Sequence, residues 1–146
     1  MPEIKIIEVK SELGAGTRGA SLGVDAIKIA ALDFGSRYFK KYRSVEVPHE
    51  NHLLLESTGS PYAKRISGVL TIVERVAEEV SKTLNRKEFP IVLAGDHSSA
   101  AGTISGICAF HFLEQYPGFF LASLNFTGTP KLNAVFNARY WLNNYI

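Results

Sequence analysis

Eight apolar residues, Ile66, Val69, Leu70, Val73, Val76, Ala77, Val80 and Leu84, recur at i, i+3, i+4 and i+7 intervals, while Glu74, Glu78, Glu79 and Lys82 take the opposite face. A helix with such a stripe has to be covered, and the short apolar runs around it say by what. Ile4–Val9 is a β-branched run of strand length, with polar Lys5 and Glu8 that suit an edge position. Tyr42–Val47 alternates like a second strand and is stopped by Pro48. Phe89–Ala94, FPIVLA, is continuously apolar, the pattern of a strand covered on both faces of a parallel sheet. Small and apolar residues recur at helical spacing over Val24–Ala31, with Gly35 placed to stop that helix. Further small residues through Ile107 predict another helix, N-capped by Ser98 or Ser99. The segment HENHLLLESTGSP reads as loop. The order strand, helix, strand, helix, strand, helix predicts an α/β fold with a parallel sheet.

The chain of 146 residues is the length of one ordinary domain. Its net charge of +2 is spread over both signs without a basic block, which argues against a nucleic-acid groove or a polybasic membrane patch. The longest apolar candidate, Phe119–Leu124, is far below the roughly 18 residues of a membrane span. A single cysteine, Cys108, excludes an internal disulfide and a cysteine-rich zinc site. The opening MPEIKIIEVK is unlike a signal peptide, so a soluble protein of the cytoplasm is expected.

Composition changes at Cys108. Ten of the 16 aromatic residues lie beyond it, where the only charged residues are Glu114, Lys131 and Arg139. No helix-period stripe or strand alternation is evident from Phe110 to Ile146. The expected division is therefore residues 1–107 as an α/β unit and residues 108–146 as a divergent, aromatic-rich tail. A sheet ending at Phe89–Ala94 would expose an edge and an apolar face, which predicts a homo-oligomer or an aggregation-prone chain.

Two stretches are candidates for chemistry. Gly14–Gly19, GAGTRG, has the spelling of a dinucleotide-binding turn. Four residues separate it from the end of the first strand, and the nearest acidic residue at a second strand end, Glu46, comes later than such a turn requires. The other stretch, LAGDHSSAAGTISGI, places His97 just past the carboxyl end of a buried strand, where α/β folds open a crevice. Asp96 could orient the imidazole or a neighbouring loop, and Ser98 and Ser99 could cap the helix. The bland alternative for His97 is a hydrogen bond within the turn. His49 and His52 in HENH lack the spacing of a zinc-helix motif and read as solvent-exposed; His111 has only Glu114 as an acidic neighbour; Cys108 has no positioned base.

LAGDHSSAAGTISGI resembles the segment written GGDHS in the arginase, agmatinase and formiminoglutamase family, and GAGTRGASLGVDAIKIA resembles that family's early loop and first helix. The similarity covers roughly residues 4–107, with Ala94 at the place of the first glycine of GGDHS. The resemblance implies a three-layer arginase-like fold, of which this is the N-terminal part, and manganese-dependent hydrolysis of a guanidino C–N bond, with arginine, agmatine or formiminoglutamate as substrate. It makes His97 a ligand of a two-manganese cluster, supported by Asp96. The family's other ligands lie in D-x-H-x-D and D-x-D motifs. Only three aspartates, Asp25, Asp33 and Asp96, occur here, and none lies in such a motif. The expectation is a truncated family member, inactive alone, whose tail is divergent or frame-shifted. The alternatives are a non-catalytic remnant or interaction protein and, third, a dinucleotide-binding module dependent on Gly16.

Overall fold

The computed structural model describes residues 2–59 and 61–115. The expectations for the tail beyond Gln115 fall outside the described residues. Ile4–Val9 forms strand β1, but in the middle of the sheet and not at its edge. It pairs in parallel with β2 (Arg43–Glu46) on one side and β3 (Phe89–Ala94) on the other. The edge expectation fails because a polar side chain inside a sheet needs only a partner, and Glu8 has one. Its side chain is 4% exposed, and the Lys28 ammonium donates to its carboxylate at 2.8 and 3.0 Å.

Period-two alternation sends Ile7 and Val9 to one face of the sheet and Ile6 and Glu8 to the other. Ile7 and Val9 meet Ile72, Val76 and Val80 of α3 (Ile66–Asn85), with Leu13 and Val47 closing the cluster. The apolar stripe of the sequence thus covers one face. The other is covered by α1 (Leu22–Asp33), which buries Val24 and supplies Lys28. Helix, sheet, helix is the three-layer α/β architecture.

The last helix, α4 (Ser99–Gln115), lies against α3 through two glycines. A Cβ on Gly102 would sit 2.6 Å from the Val73 carbonyl oxygen, and one on Gly106 2.6 Å from that of Ala77. The helix continues past Ile107 and through Cys108, so the change in composition falls inside a helix. The reason is local: nothing between Ala109 and Gln115 breaks a helix, and the next proline is Pro117.

Other differences are smaller. A four-residue helix, α2 (Tyr38–Lys41), and a 3-10 turn over Asn51–Leu55 lie where the sequence carries no periodic pattern. Phe89–Ala94 is a strand with the predicted bounds. It is half-covered, with Phe89 55% exposed, because it is the last strand of the sheet among the described residues. None of the described helices is long and apolar enough to cross a membrane.

Ile7 is fully buried, and Ile27, on α1, is 52% exposed. Ile7→Ala is expected to cost about 2–5 kcal/mol and Ile27→Ala within about 0.5 kcal/mol. Urea unfolding of the two variants checks this, and equal midpoints would contradict the core assignment.

Candidate functional site

The candidate site is built where two chain segments leave the sheet side by side. The Gly95 N–H closes the last rung of β3 by donating to the Val9 carbonyl at 2.9 Å. A Cβ at Gly95 would lie 2.5 Å from the Ser11 carbonyl oxygen, so the two strand ends can approach this closely only around a glycine. The Asp96 carboxylate then joins them. Its Oδ2 accepts from the Gly14 N–H at 3.0 Å, and its Oδ1 accepts from the Ser98 N–H at 2.9 Å and from the Ser98 hydroxyl. Of the two tasks open to Asp96, it performs the one on the neighbouring loop. Ser98 precedes α4, but its hydroxyl turns back to Asp96; the buried Ser99 hydroxyl donates to the Asp96 carbonyl at 2.7 Å.

His97 stands between these fixed residues and is exposed. Its carbonyl accepts from the Ala100 N–H at 3.1 Å, while its imidazole makes no hydrogen bond to the described residues. The bland alternative of a ring held within the turn is therefore not what the geometry gives. The ring borders a cleft of about 350 Å³ between β3 and α4, lined by Val92, Ala94, Thr103 and Ile104 among others.

The loop GAGTRG is organised by a residue the sequence reading passed over. Glu12 has a side chain only 4% exposed, and its carboxylate accepts from the Gly19 N–H at 2.6 Å, the Ser21 hydroxyl at 2.7 Å and the Ser21 N–H at 3.3 Å, with Arg18 at 3.5 Å. The Ser21 hydroxyl first, and then the Gly19 N–H, hold this carboxyl below the usual range. Gly16 and Gly19 have φ of 68° and 103°, the left-handed conformations that glycine adopts at no steric cost. The Gly14, Gly16 and Gly19 amides, which a phosphate would need, donate instead to Asp96, to the Glu12 carbonyl and to the Glu12 carboxylate. A loop with two carboxylates turned onto its own amides repels a pyrophosphate, and the dinucleotide reading is withdrawn on that ground.

A second missed residue is Asn51, which is buried and ties the loop to the segment after β2. It accepts from the Glu12 N–H at 2.9 Å and donates to the Lys10 carbonyl at 2.8 Å. Beside it, Lys10 bridges Asp25 at 3.0 Å and Glu46 at 3.1 Å, and these two partners, Asp25 first, raise its pKa.

The donor set does not fit a two-metal centre. Among the described residues no three His, Cys, Asp or Glu side chains come together as a metal site. Asp96 is occupied by Gly14 and Ser98, and Asp25 by Lys10. His49 and His52 are exposed after β2, where His52 approaches Glu50 at 3.7 Å and His49 accepts from the Asn51 N–H at 3.3 Å. His111 lies far along α4, with its ring edge-on to Phe110.

The depressed Glu12 pKa gives a pH signature. A carboxyl with a folded pKa below its unfolded one, about 4.3, contributes stability that is fully present above that value and is lost as pH falls through the folded one. The stability advantage of the natural chain over Glu12→Gln is expected to be constant near neutrality and to close below about pH 4. Thermal melts of both chains from pH 7 to pH 3 measure it; a gap that widened on acidification would contradict the assignment.

Comparison with known proteins agrees with this geometry. The arginase family model matches residues 2–118. Arginase from Bacillus subtilis (strain 168) is 34% identical over 104 residues, covering 70% of this chain and 34% of the relative. Arginase from Bacillus caldovelox is 31% identical over 111 residues, covering 73% and 36%. The solved structure of the B. caldovelox arginase superposes with a TM-score of 0.61 at 31% identity, over 76% of this chain and 38% of that one. The chain thus spans little more than a third of the length of the curated relatives it matches. With its sheet order, its strand-end loops and both quoted segments inside the matched region, the chain belongs to the arginase family.

Proposed function

We propose that this chain carries the opening part of an arginase-like ureohydrolase scaffold, of the kind that hydrolyses a guanidino C–N bond to release urea, and that residues 1–146 alone do not turn substrate over. The observation that carries the first half is His97: an exposed imidazole with no hydrogen-bond partner among the described residues, at the carboxyl end of β3, on a turn made rigid by Asp96 and Ser99.

Three considerations support the second half. Manganese, which the family implies, would supply a metal-activated hydroxide, but only from a site with several carboxylate and imidazole donors. The three aspartates of this sequence do not provide them. A guanidinium substrate also needs anionic or carbonyl acceptors. The larger cleft beside the early loop, about 780 Å³, is bordered by Gly14, Gly16 and Tyr62, and its charged residues are Lys64 and Arg65. That lining repels a cation. The missing donors would have to come from polypeptide outside these 146 residues. Arginine is the first substrate to try, with agmatine and formiminoglutamate next. The same reading keeps residues 1–107 as the family unit, with 108–146 as the divergent part, in a cytoplasmic protein.

A non-catalytic interaction protein is the second reading. It is favoured by one observation: β3 has no strand on its outer side among the described residues, and Ile104 of the adjoining helix is 61% exposed.

Calorimetric titration of the full chain with manganese, beside a His97→Ala control and a urea-release assay on arginine, separates these readings. Weak binding that disappears in His97→Ala, with no urea formed, is expected. Two tightly bound ions with turnover would overturn the claim of inactivity, and binding indifferent to His97→Ala would remove His97 as a ligand.

A further inference from the structure

GAGTRG has three glycines, and with no pyrophosphate to cradle they are not equivalent. Gly16 and Gly19 have left-handed backbones and open space where a Cβ would stand, so conformation accounts for both. Gly14 has no such φ. A Cβ there would lie 2.6 Å from the Cβ and from the hydroxyl oxygen of Ser98, and 2.8 Å from Oδ1 of Asp96. Gly14 is therefore a glycine because the early loop is pressed against another turn, one that begins 82 residues further on, at Asp96, and carries His97.

The close contact is also a bond. His97 stands between Asp96 and Ser98, and the Asp96 carboxylate brackets it: Oδ1 accepts from the Ser98 N–H at 2.9 Å, Oδ2 from the Gly14 N–H at 3.0 Å. The bond to Ser98 alone makes an Asx turn, a local device that moves with its own backbone. The bond to Gly14 ties that turn to a segment whose preceding residues, Ser11, Glu12 and Leu13, are buried at the end of β1. The same pair of residues stands between two clefts. Gly14 borders the larger, of about 780 Å³, with Ala15 and Gly16, while Asp96 and His97 border the smaller, of about 350 Å³.

We propose that the GAGTRG loop is a latch for His97: the Gly14 backbone holds Asp96, Asp96 holds the turn at Ser98, and lifting the loop at Gly14 releases the turn on which His97 stands. Gly14 and Asp96 are positioning residues, acting on the place of the imidazole through the backbone on either side of it. The wall of the larger cleft and the place of His97 in the smaller one are thereby set together. The latch consists of one hydrogen bond and one close contact, so it goes beyond the proposed hydrolase and stands or falls separately from it.

Amide hydrogen exchange by NMR on the full chain tests the latch. Gly14→Ala is expected to speed exchange at the Ser98 amide by at least about tenfold and to shift the His97 amide resonance, with Ile6 and Ile7 in the sheet as protected as before. Gly16→Ala, in the same loop but with nothing within 4 Å of the added Cβ, is expected to leave the Ser98 rate within about twofold. A Ser98 amide unmoved by Gly14→Ala would overturn the proposal. So would equal acceleration by the two variants, since the effect would then not pass through Gly14. If Gly14→Ala unfolds the sheet, seen as loss of protection at Ile6 and Ile7, Asp96→Ala decides from the other side. Removing that acceptor is expected to speed exchange at the Gly14 amide by at least about tenfold, and an unchanged rate there ends the proposal.

Discussion

β1 is hydrogen-bonded on both sides and covered on both faces, and the other described elements are placed by what they do for it. Its consecutive isoleucines, Ile6 and Ile7, are both fully buried, which is possible only if one helix layer lies above the strand and another below. A run covered on both faces normally excludes charge, yet Glu8 sits in its middle. Removing Lys28 would strand the buried Glu8 carboxylate, which is far more damaging than the pair itself is stabilising. Lys28 is therefore less an ornament of α1 than the condition on which α1 can dock, and Lys10, bridging Asp25 and Glu46, ties the same helix to β2.

The strand ends inherit that order. Backbone approaching backbone at Gly95 leaves no space for a side chain, and each polar group brought inward has to be matched. Asp96 binds the Gly14 amide, Glu12 binds Gly19 and Ser21, and Asn51 serves both Glu12 and Lys10. Acidic residues in this region hold loops together, and that use competes with any use as ligands. A carboxylate that already accepts two or three hydrogen bonds is stabilised as an anion, but its lone pairs are directed at protein donors.

This competition explains what was legible in the sequence. Periodicity reports burial of apolar faces, and it gave β1, α3 and β3 nearly to the residue, with the parallel α/β architecture following from their order. It misjudged the position of β1 because Glu8 and Lys5 count as polar whether or not a partner waits in space, and Lys28 lies 20 residues away. Glu12 and Asn51 were invisible for the same reason: their partnership spans 39 residues, and no local pattern distinguishes a buried, saturated carboxylate from a surface one. The place of His97 was legible because it depends on a local event, a buried strand ending in a glycine turn. Its freedom from partners was not, because that depends on what Asp96 does instead.

A crevice at the carboxyl ends of a parallel sheet gathers its chemistry from several strand ends, and each end contributes only a residue or two. Three such ends are described here. The one after β1 is turned inward onto Glu12; the one after β2 sets His49 and His52 in solvent; only the one after β3 brings an imidazole, His97, to the border of a cleft. A reaction that needs several ligands converging on one point is thus limited here less by any single substitution than by how many strand ends face the crevice. The core around Ile7, Ile72 and Val76, the Glu8–Lys28 pair and the loop clamps at Asp96 and Glu12 have no such requirement, since each is made among the described residues. Asp96 and Glu12 are therefore committed to the fold, while His97, exposed at the end of β3, is left out of it.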